Sequence, residues 1–266
     1  MRRVLSWRGC LAACLLVTLS ALEVYCTCRA RSSAPTDGDW RAAAALIAQE
    51  FQPGDLIVFV PQWSDQVGRK WLGSLMSLDD VARMDDAGYQ RTWEVVAAVT
   101  DSSSAGRLRN RGQGRVVREQ QLGRIRVRLR ENPGREVLWQ LHANAPVQEV
   151  GYEPHRCVRL PDLGAGSAPA RLGFPGVSFG TELVVYAGLA DFRTRRENYG
   201  RAAIRVLVDE TEVARATLDN ESGWLGLPPV PTTPGEHHLA IEAEPVPSSS
   251  GQPARLAVCV AAEARR

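Results

Sequence analysis

Lysine is almost absent from this chain of 266 residues: Lys70 is the only one, and every other basic residue is arginine. A GC-rich genome explains that bias without reference to function, so clusters of arginine are poor indicators of a phosphate-binding site. A strong net charge is also absent, since the formal value is only +2. The composition therefore gives no reason to expect nucleic acid as a partner.

Spaced metal ligands are missing as well. His142 and His155 are isolated in the sequence, and Glu236, His237 and His238 are consecutive residues of a probable strand. Neighbours on a strand point to opposite faces, so those three side chains cannot converge on one ion. We predict no metal and no cofactor, and we assign no catalytic residue.

A nucleophilic serine is not evident either. Ser178 lies between Val177 and Phe179, and no candidate base accompanies it in the sequence. The fold can still bring a base to a distant serine, so this observation lowers the expectation of hydrolase chemistry without removing it.

Long apolar runs are confined to the N-terminus. Three positive charges come first: Arg2, Arg3 and Arg8. An uncharged run over residues 9–22 follows, Glu23 interrupts it, and residues 24–28 extend it. This pattern is typical of an export signal or a signal anchor, although the run is shorter than the roughly 20 residues that a spanning helix prefers.

We therefore expect residues 1–28 to form an uncleaved signal anchor, with a cleaved signal peptide as the alternative and lipidation at Cys14 as a further one. The remainder of the chain would then lie outside the cytoplasm. The predicted location is the cell envelope, as a single-pass membrane protein, or the exterior if the signal is removed.

Only two cysteines, Cys157 and Cys259, lie outside the N-terminal segment. An oxidising compartment allows them to form a disulfide. Both occur in strand-like runs, where two separate buried thiols are the alternative.

The composition along the chain predicts several parts. Residues 29–38 are small and polar and read as a linker. Residues 39–100 predict a small α/β segment, with a helix from Trp40 to about Phe51 and a continuous apolar strand over Leu56–Val60. Residues 101–115 are rich in Gly, Ser and Arg and predict a flexible connection.

Residues 116–266 predict a second domain made of strands. Residues 124–130 alternate strictly between arginine and apolar side chains, and further short strand-like runs recur with turns between them. This spacing indicates an antiparallel β-sandwich, similar to a jelly roll. The predicted fold class is α+β, with an N-terminal anchor, a small α/β segment and this sandwich.

A polar loop over residues 188–200 and the turn that ends at Trp224 form the first candidate ligand site. Carboxylate, amide, guanidinium and aromatic groups are the set that binds sugars, because polar groups bond hydroxyls and rings pack on the apolar sugar face. The candidates are Asp191, Arg193, Arg195, Arg196, Asn198, Tyr199 and Trp224. The alternative is a structural loop with internal ion pairs and a core indole.

A second candidate site follows the apolar strand, where ligands bind in open α/β sheets. Its residues are Trp63, Asp65, Arg69, Lys70 and Trp71. Two indoles, a carboxylate and two cations suit an anionic glycan or a lipid headgroup. The alternatives are a structural contact between the α/β segment and the sandwich, because indoles are usually well buried, and a membrane-facing surface.

Residues 42–61, from the alanine-rich helix through Pro53-Gly54-Asp55 to the apolar strand, resemble the soluble region of bacterial polyprenyl-phosphate-dependent glycosyltransferases. The multi-helix membrane part of that family is missing, so the resemblance implies an accessory of envelope glycan assembly. The C-terminal part is similar in pattern to carbohydrate-binding β-sandwich modules. No functional residue transfers from either family.

These observations favour a non-catalytic envelope protein that binds a glycan or a partner protein. One rival is a hydrolase or transferase of envelope polysaccharide that uses acids around Asp65 or Asp191. The other is a purely structural interaction module.

Overall fold

A computed structural model describes residues 7–61, 64–97, 114–164, 168–190, 200–246 and 256–266. The side chains of residues 7–13 and 29–33 are not described. Within this part of the chain, contacts divide the molecule into two compact units that alternate along the sequence. The first unit contains Met1–Leu75 and Arg91–Glu131, and the second contains Met76–Gln90 and Asn132–Arg266.

The first helix, α1, covers Trp7–Ser33, so it continues through the first half of the predicted linker. It ends shortly before Pro35, because the residue before a proline disfavours helical backbone. Large apolar side chains along α1 are exposed, among them Leu15, Val17 and Leu22. Among the side chains that the structure describes, no helix combines the length and apolarity required to cross a bilayer.

The second helix, α2, covers Asp37–Glu50 and begins with a capping box. Thr36 is the N-cap: its hydroxyl accepts a bond from Asp39 N at 3.2 Å, and its backbone N–H donates to the Asp39 carboxylate at 2.8 Å. Asp39 is the third residue of this helix, which begins three residues before the predicted start at Trp40. Trp40 and Ile47 lie on the buried face of α2.

The first unit contains a four-stranded sheet in the order β1-β2-β4-β3. Its strands are β1 Leu56–Val60, β2 Arg91–Ala97, β3 Arg115–Leu122 and β4 Ile125–Glu131. All of β1 is buried, and β1 pairs parallel with β2. The sequence-predicted bounds of β1 are those of the structure, and β2 lies within the predicted α/β segment of residues 39–100.

The strands β3 and β4 lie in this first sheet, whereas the sequence boundaries assign them to the sandwich. The β4 strand pairs antiparallel with β2, with Leu129 opposite Trp93. Alternation of apolar and charged residues correctly predicts one buried face of β4. It does not identify the partner strand, which is why the domain boundary at residue 116 differs from the observed division.

Two short helices follow β1 in the chain. Helix α3 covers Asp65–Leu72, a 3-10 turn covers Gly73–Leu75, and helix α4 covers Leu78–Val81. Ser77 and Asp80 form the capping box of α4. Helix α4 belongs to the second unit.

The second unit is a sandwich of two sheets. The larger sheet contains β5 Val137–Gln140, β6 Val147–Val150, β7 Glu153–Arg156, β8 Val158–Arg159, β10 Glu182–Ala190, β13 Leu225–Gly226, β14 Val230–Pro231 and β16 Ala257–Arg265. The smaller sheet contains β9 Ala170–Phe179, β11 Arg201–Val208, β12 Thr211–Leu218 and β15 Gly235–Val246. Every strand pair in this unit is antiparallel, which confirms the predicted β-sandwich.

Apolar side chains from both sheets form the core of the sandwich. Leu183, Val185 and Leu189 of β10 alternate toward this core, and Ile204 and Ile241 contribute from the smaller sheet. Such alternation is what a strand with one face on a core requires.

The opposite face of the larger sheet is also covered. Cys157 and Cys259 form a disulfide there, with Cα atoms 5.6 Å apart. Met84 packs into the same apolar cluster, and Asp85 accepts a bond from the buried Arg265 at 2.9 Å. These contacts explain why residues 76–90 belong with the sandwich, which the linear sequence pattern does not reveal.

Candidate functional site

Most residues of the first predicted site lie outside the described part of the chain. Residues 191–199, which include Asp191 through Tyr199, are not described. The residue before them, Ala190, pairs with Val150 on one side and with Ala257 on the other. Residues 219–224 also follow a strand at this end of the sandwich, because Leu218 pairs with Ala202 near the start of β11.

Trp224 is half-buried and lies in a stack of three rings. Its ring centroid is 4.5 Å from that of His155, at an interplanar angle of 12°. The Tyr186 ring lies 5.9 Å away at 22°. The indole N–H donates to the carbonyl of Met84 at 3.0 Å. Trp224 therefore packs on the apolar cluster around the disulfide, and its N–H is already bonded within the protein.

Tyr152 was not among the predicted residues, and it is the most exposed large aromatic side chain that the structure describes, at 75%. It lies in the two-residue turn between β6 and β7, where Gly151 has φ 64° and Tyr152 has φ 71°. Two positive φ angles define the turn type that suits twisted hairpins. For a bulky residue such as Tyr, this conformation costs about 1–2 kcal/mol.

The Tyr152 turn contacts the turn before Trp224. A methyl group on Gly151 would lie 3.1 Å from Gly223 Cα, and one on Gly188 would overlap Val150 and the Gly223 carbonyl. The backbones approach so closely that only glycine fits, which holds both turns in one geometry.

A hydrogen-bonded turn completes this surface. The Asp219 carboxylate accepts bonds from Glu221 N at 3.0 Å, from Ser222 N at 2.9 Å and from Ser222 Oγ at 2.7 Å. The Ser222 hydroxyl is the main cause that lowers the pKa of Asp219. We call the surface formed by Tyr152, Gly223, Trp224 and the turn of residues 219–222 the Tyr152 surface.

His155 packs against the Trp224 ring in this stack. It is buried, its Nδ1 lies 3.2 Å from the Arg83 carbonyl, and its Nε2 lies 3.6 Å from Glu153. The Arg83 carbonyl can only accept, so Nδ1 carries the proton. Gly151 between two short strand-like runs is the sequence signal for a turn here, although tyrosine is not typical of the second position of a two-residue hairpin turn.

In the second predicted site, Trp63 lies outside the described residues. Asp65 and Arg69 form an ion pair one turn apart on α3. Two cations lie over the Trp71 ring. Lys70 Nζ is 5.0 Å and Arg41 Cζ of α2 is 5.5 Å from the ring centroid. The described residues of this set therefore lie together with Arg41. Their charges and the indole face contact one another within the protein.

His237 and His238 both bind carboxylates rather than converging. His237 Nδ1 lies 2.7 Å from Asp209, and its Nε2 lies 3.1 Å from the Thr233 carbonyl. His238 Nδ1 lies 3.3 Å from Glu210. Within the described residues, no group of three or more His, Cys, Asp or Glu side chains is arranged for a metal ion.

Residues Gly176-Val177-Ser178-Phe179-Gly180 match the letters of the serine-hydrolase pattern Gly-x-Ser-x-Gly. That pattern needs a sharp turn between a strand and a helix. Here Ser178 lies within β9, where it pairs with Glu236 of β15, and the next element is the strand β10. The match therefore lacks the geometry of a nucleophile.

A buried ionic cluster lies on the covered face of the larger sheet. Arg265 bonds to Glu263 at 2.7 Å, and Gln140 donates to Glu263 at 3.0 Å. Burial raises the pKa of Glu263 and lowers the pKa of the nearby His142. Since these side chains are almost inaccessible, they hold the covering segment rather than contact a ligand.

No known protein-family model matches the sequence, and no curated protein is significantly similar to it. Part of the chain is similar to solved structures. A carbohydrate-binding module, CBM36, in complex with calcium and xylotriose shares 10% identity over 50% of this chain and 100% of its own, at a TM-score of 0.26. The CBM51 of Clostridium perfringens GH95 in complex with methyl-galactose shares 11% identity over 48% of this chain and 94% of its own, at a TM-score of 0.29.

An acetyl xylan esterase from the rumen bacterium Butyrivibrio proteoclasticus shares 12% identity over 48% of this chain and 32% of its own, at a TM-score of 0.26. Such scores describe a partial likeness in strand arrangement and assign no ligand. The resemblance of residues 42–61 to glycosyltransferases finds no support in these comparisons.

Proposed function

We propose that the second unit binds a glycan without chemical turnover, at the Tyr152 surface. The observation that carries this proposal is an aromatic ring 75% exposed on a turn whose backbone disfavours it. Strain of this kind concentrates at ligand sites. The rigid turn presents the ring with little entropy to lose on binding.

The chemistry of this surface suits the binding of sugars better than it suits catalysis. A ring packs on the apolar face of a pyranose, and nearby polar groups bond its hydroxyls. The Asp219 carboxylate is already engaged by three hydrogen bonds that hold its turn, and its lowered pKa keeps it ionised. It therefore offers no proton for general acid catalysis. The candidates among residues 191–199 follow Ala190 in the chain. They remain part of the proposal on the basis of the sequence alone.

The proposed location is the cell envelope, with the body outside the cytoplasm. The basic and apolar N-terminus supports export, and the disulfide of Cys157 and Cys259 is typical of an oxidising compartment. The N-terminal sequence of the protein recovered from cell fractions would distinguish a retained anchor from a cleaved signal.

The test is a glycan array with the full chain in mild detergent, using Tyr152→Asn and Tyr152→Phe. Asparagine tolerates the left-handed backbone, so Tyr152→Asn should retain or raise the melting temperature. Its glycan affinity should fall about tenfold or more, the usual cost of removing an aromatic hot spot. Phenylalanine preserves the ring and should preserve most of the affinity.

A matched control comes from the remote turn of Asp209 and Glu210, which also has two positive φ angles. Glu210→Asn relieves the same backbone without removing a ring, and it should leave glycan binding unchanged. Equal binding by wild type and Tyr152→Asn, or no binding to any glycan, would overturn the proposal.

A further inference from the structure

A cavity of about 310 Å³ lies at the far end of the larger sheet, away from the Tyr152 surface. Three arginines line it, Arg135, Arg265 and Arg266, together with Glu182 as the single acidic residue. We propose that this cavity binds a small organic anion, a carboxylate or phosphate attached to a partly apolar body. This inference is independent of glycan binding at the Tyr152 surface.

The walls of the cavity are fixed by strand pairing. Glu182 of β10 lies opposite both Pro231 of β14 and Arg265 of β16. Thr181 N donates to the Arg265 carbonyl at 2.8 Å, and a methyl group on Gly180 would overlap that same carbonyl oxygen. The site is therefore preformed, so a ligand pays little to order it.

The three arginines differ in how they are engaged. Arg265 is buried and bonds to two carboxylates, Glu263 at 2.7 Å and Asp85 at 2.9 Å, so its charge is balanced. Arg135 pairs with Glu182, and Arg266 pairs with Glu136.

The pair of Arg266 and Glu136 is exposed, whereas the pair of Arg135 and Glu182 is half-buried, with the Glu182 side chain 21% exposed. The Arg135 side chain is 35% exposed, and that of Arg266 is 64% exposed. Exposed ion pairs contribute little, and each guanidinium has five N–H donors of which one carboxylate uses few. An incoming carboxylate or phosphate can bind both arginines in bidentate fashion at small cost.

The rest of the lining selects the remainder of the ligand. Pro229 and Pro231 supply an apolar wall, and Thr181 supplies a hydroxyl. A volume near 310 Å³ is at the lower end of ligand pockets. A single sugar acid or sugar phosphate fits this chemistry better than a polymer.

The test is calorimetric titration of the full chain with glucuronate, glucose 1-phosphate and neutral glucose at constant ionic strength. We expect saturable binding of at least one anion and none of glucose, and the preferred anion identifies the group recognised. Arg135→Gln should weaken binding about 10-fold to 100-fold, the cost of one charge-assisted contact. Glu182→Gln should strengthen binding about 3-fold, because it releases Arg135 and removes a negative charge.

Arg215→Gln is the matched control, because Arg215 also has an exposed carboxylate partner, Glu212, and does not line the cavity. It should leave anion affinity unchanged, as should Tyr152→Asn. No saturable binding of either anion would overturn the proposal. So would a Glu182→Gln variant that binds the anion more weakly while it melts at the wild-type temperature.

Discussion

Gly68 lies where helix α3 packs on the Phe59 ring. A methyl group at this position would overlap three atoms of that ring, and Phe59 is buried. We expect Gly68→Ala to lower the free energy of unfolding by about 1–3 kcal/mol, since overpacking outweighs the gain of about 1 kcal/mol in helix propensity. Urea unfolding of the full chain measures this change.

Gly73 provides the control for that substitution. It follows α3 at a negative φ, and no atom lies within 4 Å of a methyl group placed there. Gly73→Ala should therefore be neutral or slightly stabilising. If both variants unfold at the same urea concentration, the close packing of α3 on Phe59 is contradicted.

The aromatic residues show what a single sequence reveals at this scale. Trp224 is conspicuous in a polar turn, and the structure places it in a stack with His155 and Tyr186. Tyr152 reads in sequence as the end of a strand-like run over residues 147–152. Its exposure depends on the left-handed backbone of the turn, which a tyrosine at position 152 does not predict.

Contacts of His237 connect the turn between β11 and β12 with the segment before β15. We call these contacts the His237 clasp. His237 bonds to Asp209 in that turn and to the carbonyl of Thr233 before β15, and its ring lies 5.1 Å from Phe179. Both ring nitrogens face acceptors, so the clasp needs the doubly protonated ring. The Asp209 contact raises the pKa of His237.

This clasp predicts a pH dependence of stability. The folded pKa of His237 is above the ordinary histidine value of about 6.5, so its stabilising effect is complete below that pH. The effect is lost as pH rises through the folded pKa. We expect the melting temperature of the wild type to fall relative to His237→Gln between about pH 5.5 and 8.5.

Asp209→Asn should abolish the same pH dependence, because it removes the carboxylate that stabilises the imidazolium. A difference between wild type and His237→Gln that stays constant with pH would contradict the clasp.

Among the elements, those with strong local signals are the ones that the sequence predicts. The apolar strand β1 and the capping box of α4 depend on residues within a few positions of each other. The partner of β4 and the covering role of Met84 depend on contacts between distant segments. Such contacts leave no periodicity, so the sequence alone assigns these segments to the wrong neighbours.

The disulfide links two residues 102 positions apart, beneath the ring stack. Sequence leaves its formation open, because it provides no Cα distance. We expect the double variant Cys157→Ala, Cys259→Ala to lose about 2–5 kcal/mol of unfolding free energy. Denaturant unfolding under non-reducing conditions measures this loss.

Cys26→Ala is the control for that experiment, since Cys26 is an exposed thiol on α1. It should unfold as the wild type does. A double variant with an unchanged transition would show that the bond adds nothing to the stability of the whole chain.

The position of β16 in the larger sheet has a consequence for biosynthesis. This strand covers Ala257–Arg265 and lies between β5 and β10, and it pairs with β10 along nine residues. The ribosome delivers β5 and β10 long before their shared neighbour. Until residue 265 has emerged, both strands present open backbone edges that other chains can pair with. Nascent protein should therefore depend on a chaperone, and a stop codon placed before β16 should yield aggregates rather than a shortened sandwich.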